Sequence, residues 1–309
     1  MIEPAVHRAA WLYYNHGMRQ DEVADALSVS RATVVKYLRL ARDSGAVSIS
    51  VSGELFRHDV LAREIEDAFC LQGVWVVPDD TGSDSEFSRV GATALLGLVA
   101  SNTRMALAWG ETIYSVVDYL PAADFSGVTI MQMCGNLGGN VAYLPDQCTI
   151  EMARRLNARG QNLYAPIVLS SETLAQNLLR EPVIASQLAE LPDCDLAVFS
   201  VGSCTSSSHI VSCGAITQEE LRVAVRDGAV GVIAGRLIDS GGRQLACSYN
   251  RRLISTDLEA LAAIPRRLVL VKNKEKCAGL LATLKAGLAS YLVVSRTVGR
   301  EILDQFLND

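Results

Sequence analysis

The chain has 309 residues, 50% hydrophobic and 20% charged, with a formal net charge of −6. At roughly 100–200 residues per domain, that length suits one large domain and a smaller one, and the apolar content excludes a disordered chain. No apolar run reaches the roughly 18–20 residues of a membrane span, and no basic stretch followed by an apolar one opens the chain, so a cytoplasmic protein is expected. The eight cysteines (Cys70, Cys134, Cys148, Cys194, Cys204, Cys213, Cys247 and Cys277) form no C-x-x-C pair. They read as reduced, mostly buried thiols, and neither a metal nor a cofactor is expected.

The acidic balance argues against a surface coated along its length by nucleic acid but not against one small DNA-reading module. Residues 1–57 hold seven Lys/Arg and six Asp/Glu, and four of those cations fall between Arg31 and Arg42. Residues 5–16 place Ala9, Leu12 and Tyr13 on one helical face, and Gly17 suits the C-cap. A second short helix follows, with Val23, Ala24 and Leu27 inward and acidic residues outward. Ser28-Val29-Ser30 breaks it, and Ser30 can cap a third helix, Arg31 to about Arg42, with Val34, Leu38 and Ala41 inward. Two short helices joined by a tight turn, the second basic, form the helix-turn-helix pattern. Ala24 is small where the helices cross, and Val29 plugs the turn.

At the start of the third helix Arg31, Thr33 and Lys36 are candidates for base edges, while Arg39 and Arg42 suit phosphates. Arg19, Gln20 and Ser30 complete the candidate DNA-binding set. A three-helix packing unit with a solvated basic face would share the pattern, but Q-x-x-V-A-x-x-L-x-V-S-R-x-T-V runs unbroken over Gln20–Val34. Residues 46–51 alternate as a strand, and 55–70 form an amphipathic connector helix suited to a dimer contact. The expected division is therefore a DNA-binding domain over 1–54, a connector over 55–70 and a large domain over 71–309.

From residue 71, strand-like and helix-like runs alternate. Strands are expected at 73–77, 105–109, 128–133, 195–201, 229–238, 244–249, 266–271 and 291–295. Helices are expected at 85–100, 111–120, 147–158, 217–227, 274–286 and 297–307. This alternation specifies an α/β domain with a mostly parallel sheet covered on both faces, whose ligands bind beyond the C-terminal ends of the strands. Gly110-Glu111-Thr112 follows one strand and Cys134-Gly135-Asn136-Leu137-Gly138-Gly139-Asn140 another. Glycines let a backbone approach an anion, and Thr112, Asn136 and Asn140 offer partners for hydroxyls; sharp turns alone would also explain such loops. Gly202–Ser208 is a third polar loop. Lys272, Lys274 and Lys276 stand at a helix start, where a cation opposes the helix dipole unless an anion joins it; solvated lysines are the plainer alternative. No G-x-S-x-G, P-loop or H-E-x-x-H motif is present, and no catalytic residue emerges.

Taken in order, these segments resemble the SorC/DeoR-type sugar-binding transcriptional regulators over nearly the whole chain. The resemblance is carried by the helix-turn-helix, WGET (109–112), GNLGG (135–139), GAVGVIAGRLIDSGG (228–242), LEALAAIP (258–265) and KCAGLLATLKAG (276–287) before YLVVS. It implies a Rossmann-like domain related to phosphosugar isomerases and glucosamine-6-phosphate deaminases, with effector recognition in place of catalysis. It also implies homodimers or homotetramers on operator DNA, and a repressor of a carbohydrate or polyol operon that responds to a sugar, polyol or sugar phosphate. By position it assigns Gly110, Glu111, Thr112, Gly135, Asn136, Gly138, Gly139, Asn140 and Lys276 to the effector. Two departures stand out: Val232 occupies an acidic position of the family, and Lys272-Asn273 replaces a Gly-Gly. The rival reading is a sugar-phosphate isomerase or deaminase with a helical appendage. Against it, the loop GSCTSSSH (202–209) lacks the acidic residue of the deaminases' D-G-H-type segment. A metabolite-sensing scaffold without DNA is a third reading, and it would make the Arg31–Arg42 face incidental.

Overall fold

The computed structural model describes residues 4–44, 46–47, 56–57, 59–79, 84–138 and 143–308. The chain divides into two compact units, Met1–Ser52 and Gly53–Asp309. The first holds α1 (Pro4–Tyr14), α2 (Gln20–Leu27) and α3 (Arg31–Asp43). Its core is Val6, Ala9, Ala10, Val23, Ala24, Val34, Leu38 and Ala41, with Val29 packed against it from the turn. Ser28 takes the left-handed conformation (φ 53°) that ends α2, and the Ser30 hydroxyl accepts from Thr33 N–H to start α3. The strand expected at 46–51 lies almost wholly outside the described residues.

The second unit opens with α4 (Val60–Phe69), the helical part of the expected connector, whose buried Leu61, Ala62 and Ile65 face β1 and the C-terminal helix Arg296–Leu307. Among the described residues ten strands follow: β1 (Gly73–Val77), β2 (Arg104–Leu107), β3 (Thr129–Gln132), β4 (Arg159–Gln161), β5 (Leu196–Phe199), β6 (Val201–Gly202), β7 (Gly231–Ile233), β8 (Arg236–Ile238), β9 (Arg266–Val271) and β10 (Tyr291–Ser295). Seven form one parallel sheet in the order β1-β10-β9-β5-β2-β3-β4. Except in the exposed edge strand β4, Arg159-Gly160-Gln161, their apolar runs are continuous because both faces are covered. Trp75 and Val77 feed the core on one face, and Val74 and Val76 the core on the other.

Two expected strands are corrected. The run 229–238 is an antiparallel hairpin, β7 and β8, turning on Ala234 (φ 48°) and Gly235 (φ 86°). Two successive positive φ angles make this a primed two-residue turn, the kind whose twist matches its strands. The run 244–249 forms no strand, and Ser248–Arg251 is helical. There the Asn250 side chain, buried, donates to Leu237 O and Leu245 O and accepts from Leu237 N–H, doing the work of a ladder. Sequence periodicity also misses β4 and the helices Glu172–Leu179 and Pro182–Ala189.

The strand order sets where a ligand can lie. From β2 the chain adds β3 and β4 on one side; β5, β9 and β10 build out the other way. The crevice beyond the C-terminal ends of β2 and β5 is therefore the topological switch point, where open α/β sheets bind ligands.

Candidate functional site

A cavity of about 260 Å³ occupies that switch point. Its walls are the segment after β2 (Ala108–Thr112), the segment after β5 (Ser200–Ser203, then Ser207 to Ser212), the β7–β8 hairpin and the residues after β9. Gly110 adopts φ 117°, ψ 171°, a conformation open to glycine alone, and so turns β2 sharply into the helix Glu111–Asp118. The first N–H groups of that helix have no partner within it. Trp109 is almost fully buried and packs its ring 4.9 Å from that of His209.

Lys276 is the cation aimed into this space. Its ammonium donates to Thr112 Oγ1 at 3.4 Å. Burial pulls its pKa below the ordinary lysine value, against the opposing pull of the Glu275 and Glu111 carboxylates. An anion beside it would offset that desolvation. Lys274 is engaged elsewhere, in an ion pair with Glu301 at 3.0 Å. Serine hydroxyls supply most of the remaining polarity, and the loop they sit on is braced by itself: Ser208 Oγ donates to Ser203 O at 2.6 Å, and Ser203, Thr205 and Ser207 hydroxyls chain together at 3.1 and 3.0 Å. Val232, where the resemblance led to an acidic residue being expected, is an apolar wall residue.

The glycine-rich segment after β3 behaves differently. Gly135 N–H donates to Ile254 O, Asn136 N–H to Ala165 O, and Ile167 N–H to Asn136 O, at 2.6–2.8 Å. The Asn136 side chain donates to Leu163 O at 3.1 Å and accepts from Gln132 at 2.9 Å. A Cβ at Gly135 would stand 2.6 Å from Ala165 O. Gly135, Asn136 and Gly138 therefore do not line the cavity, and Gly139 and Asn140 lie outside the described residues. Of the sequence-derived effector set, the structure brings together Gly110, Glu111, Thr112 and Lys276. The cavity also takes in Trp109, Ser203, Ser207 and His209, which lie in segments the sequence singled out without assigning them to the effector, and Ser200 and Ser212, which it did not single out. Their signal was a polar loop after a strand, but the pairing of that strand with β2 is not local information.

In the first unit Arg31, Lys36, Arg39 and Arg42 are exposed on α3. Arg19, Gln20 and Arg31 meet around one hollow that Tyr13 and Tyr14 also line. Arg31 donates to Gln20 Oε1 at 3.4 Å and lies 3.8 Å from Asp21. Such pairs between exposed groups are weak and readily exchanged for an external anion. Ser30 and Thr33 are committed to the helix start, their hydroxyls 2.8 Å apart. Among the described residues no group of three or more His, Cys, Asp or Glu could hold a metal ion, and no helix is long and apolar enough to cross a membrane.

Residues 54–304 match the family model described as "Putative sugar-binding domain". The transcriptional regulator YjhU of Escherichia coli strain K12 is 31% identical over 97% of this chain and 94% of its own. The deoxyribonucleoside regulator of Bacillus subtilis strain 168 is 24% identical over 96% of both chains. The full-length sorbitol operon regulator SorC of Klebsiella pneumoniae shares the fold, with a TM-score of 0.77 at 21% identity, over 96% of this chain and 97% of that one.

Proposed function

Because the chain belongs to the family of sugar-binding transcriptional regulators, and is a DNA-binding regulator with a sugar-binding domain rather than an enzyme, we propose that a sugar, polyol or sugar phosphate binds in the cavity at the β2/β5 switch point. Glu111, Thr112 and Lys276 hold its polar groups, and the first turn of Glu111–Asp118 faces it. The observation that carries this reading is the half-buried Lys276 ammonium, bonded to Thr112 inside the cavity. In this reading the protein is a cytoplasmic homodimer or homotetramer that represses a carbohydrate or polyol operon, with 1–54 reading DNA and 71–309 binding effector and partner subunit. The effector favours one arrangement of the assembly and thereby resets the spacing of paired reading heads, which must fit half-sites about 34–36 Å apart or a multiple of that. A tenfold change in operator occupancy needs only about 1.4 kcal/mol of differential affinity.

A thermal-shift panel of free sugars, polyols and their phosphate esters tests the effector. A ligand at about 100 times its Kd adds about 2.7 kcal/mol. The stabilising compound should lose tenfold or more in affinity for Lys276→Ala, the effect of removing a charge-assisted hydrogen bond. Wild-type affinity in that variant would remove Lys276 from the site. Arg31→Ala combined with Lys36→Ala should abolish binding to duplexes that the wild-type protein selects from a randomised pool, with effector binding intact. Unchanged affinity would displace α3 as the base-reading helix.

A further inference from the structure

Two large apolar residues of α3, Val35 and Leu40, are exposed, and of the two it is Val35 that falls one turn from Arg31 and one turn from Arg39. Val34, Leu38 and Ala41 take the buried side, and Thr33 is half-buried and bonded to Ser30. Val35, by contrast, is 48% exposed. At 3.6 residues per turn it lies about 40° around the helix from both Arg31 and Arg39, one turn from each. The side chains of those arginines are 70% and 79% exposed. Lys36 stands beside it, also exposed. A valine here costs helix propensity relative to alanine, lysine or arginine.

A small apolar tip ringed by cations matches the DNA major groove. The flanking charges suit phosphates and guanine edges, and the apolar group that a base edge offers there is the C5-methyl of thymine. We propose that Val35 is a specificity-determining residue that packs on a thymine methyl within each half-site, so that an A·T pair is selected at that position without a hydrogen bond from Val35. This rests on α3 being the base-reading helix.

The experiment uses the full chain and a duplex it has selected from a randomised pool, in which each thymine in turn is replaced by deoxyuridine, removing the methyl alone. Wild-type affinity should fall about fourfold at one position per half-site, the value of one buried methyl-sized group. Val35→Ala should melt like the wild type and bind the thymine and deoxyuridine duplexes alike at that position. The same thymine preference in Val35→Ala at every position, or none in the wild type, overturns the proposal. So does an equal loss in Val35→Ala on all duplexes with the thymine preference retained, because that would place Val35 against the backbone. If the Arg31/Lys36 double variant keeps its affinity, the reading of α3 fails first. If that variant loses binding while the thymine preference ignores Val35, only the present proposal fails.

Discussion

Two loops that leave neighbouring strands of the same sheet use glycine to opposite ends. After β2, Gly110 takes a backbone conformation closed to other residues, and a Cβ there would meet nothing within 4 Å. The space it faces is free, and the turn opens a helix onto it. After β3, Gly135 has an unexceptional φ but no room, because the carbonyls of Ala165 and Pro166 press on its α-carbon. The first glycine makes a cavity wall and the second lets three chain segments lie edge to edge. A glycine after a strand is thus a sign of either free space or its absence.

Substitution separates the two. The largest loss of stability is expected from Gly135→Ala, about 3 kcal/mol, because the methyl meets backbone that cannot swing aside; thermal melting reads it, and effector affinity should stay unchanged in the protein that remains folded. An unaltered melting temperature would break the comparison. Gly110→Ala should cost less, about 2 kcal/mol from backbone strain, but unlike Gly135→Ala it should also weaken the effector, read by titration at a temperature where both proteins are folded. Asn136→Ala comes last, about 1 kcal/mol for the side-chain hydrogen bonds to Leu163 O and from Gln132, with no change in effector affinity. A loss of affinity without a loss of stability would move Asn136 into the site.

The sequence shows the same two loops as equals, because glycine and polar residues after an apolar strand look alike until the neighbours are known. Local signals were enough for β1, β9 and β10, whose apolar runs are bounded by polar residues, and for α2 and α3, whose turn and cap are written in adjacent residues. They were not enough for the β7–β8 hairpin: Ala234 at φ 48° lacks the asparagine or glycine that normally announces a primed turn. Nor were they enough for the serine wall. Ser200 and Ser203 reach the cavity because β5 pairs with β2, and the hydrophobic pattern of neither strand encodes that choice.

The edge strand β1 has one ladder partner, β10, and their pairing joins opposite ends of the second unit, Gly73 with Tyr291 through Val77 with Ser295. During synthesis at about 5–20 residues per second, β1 leaves the ribosome roughly 10–40 s before the strand that completes it. Helices α1 to α3, whose shared core lies between Val6 and Ala41 with Val47 packed against it, need not wait. The nascent chain therefore has all of the first unit's helices well before the second unit is complete. For that interval the apolar faces of β1 and α4 that β10 and the C-terminal helix cover in the folded unit lack those partners, and transiently uncovered apolar surface of this kind is what makes a partly folded chain prone to aggregate.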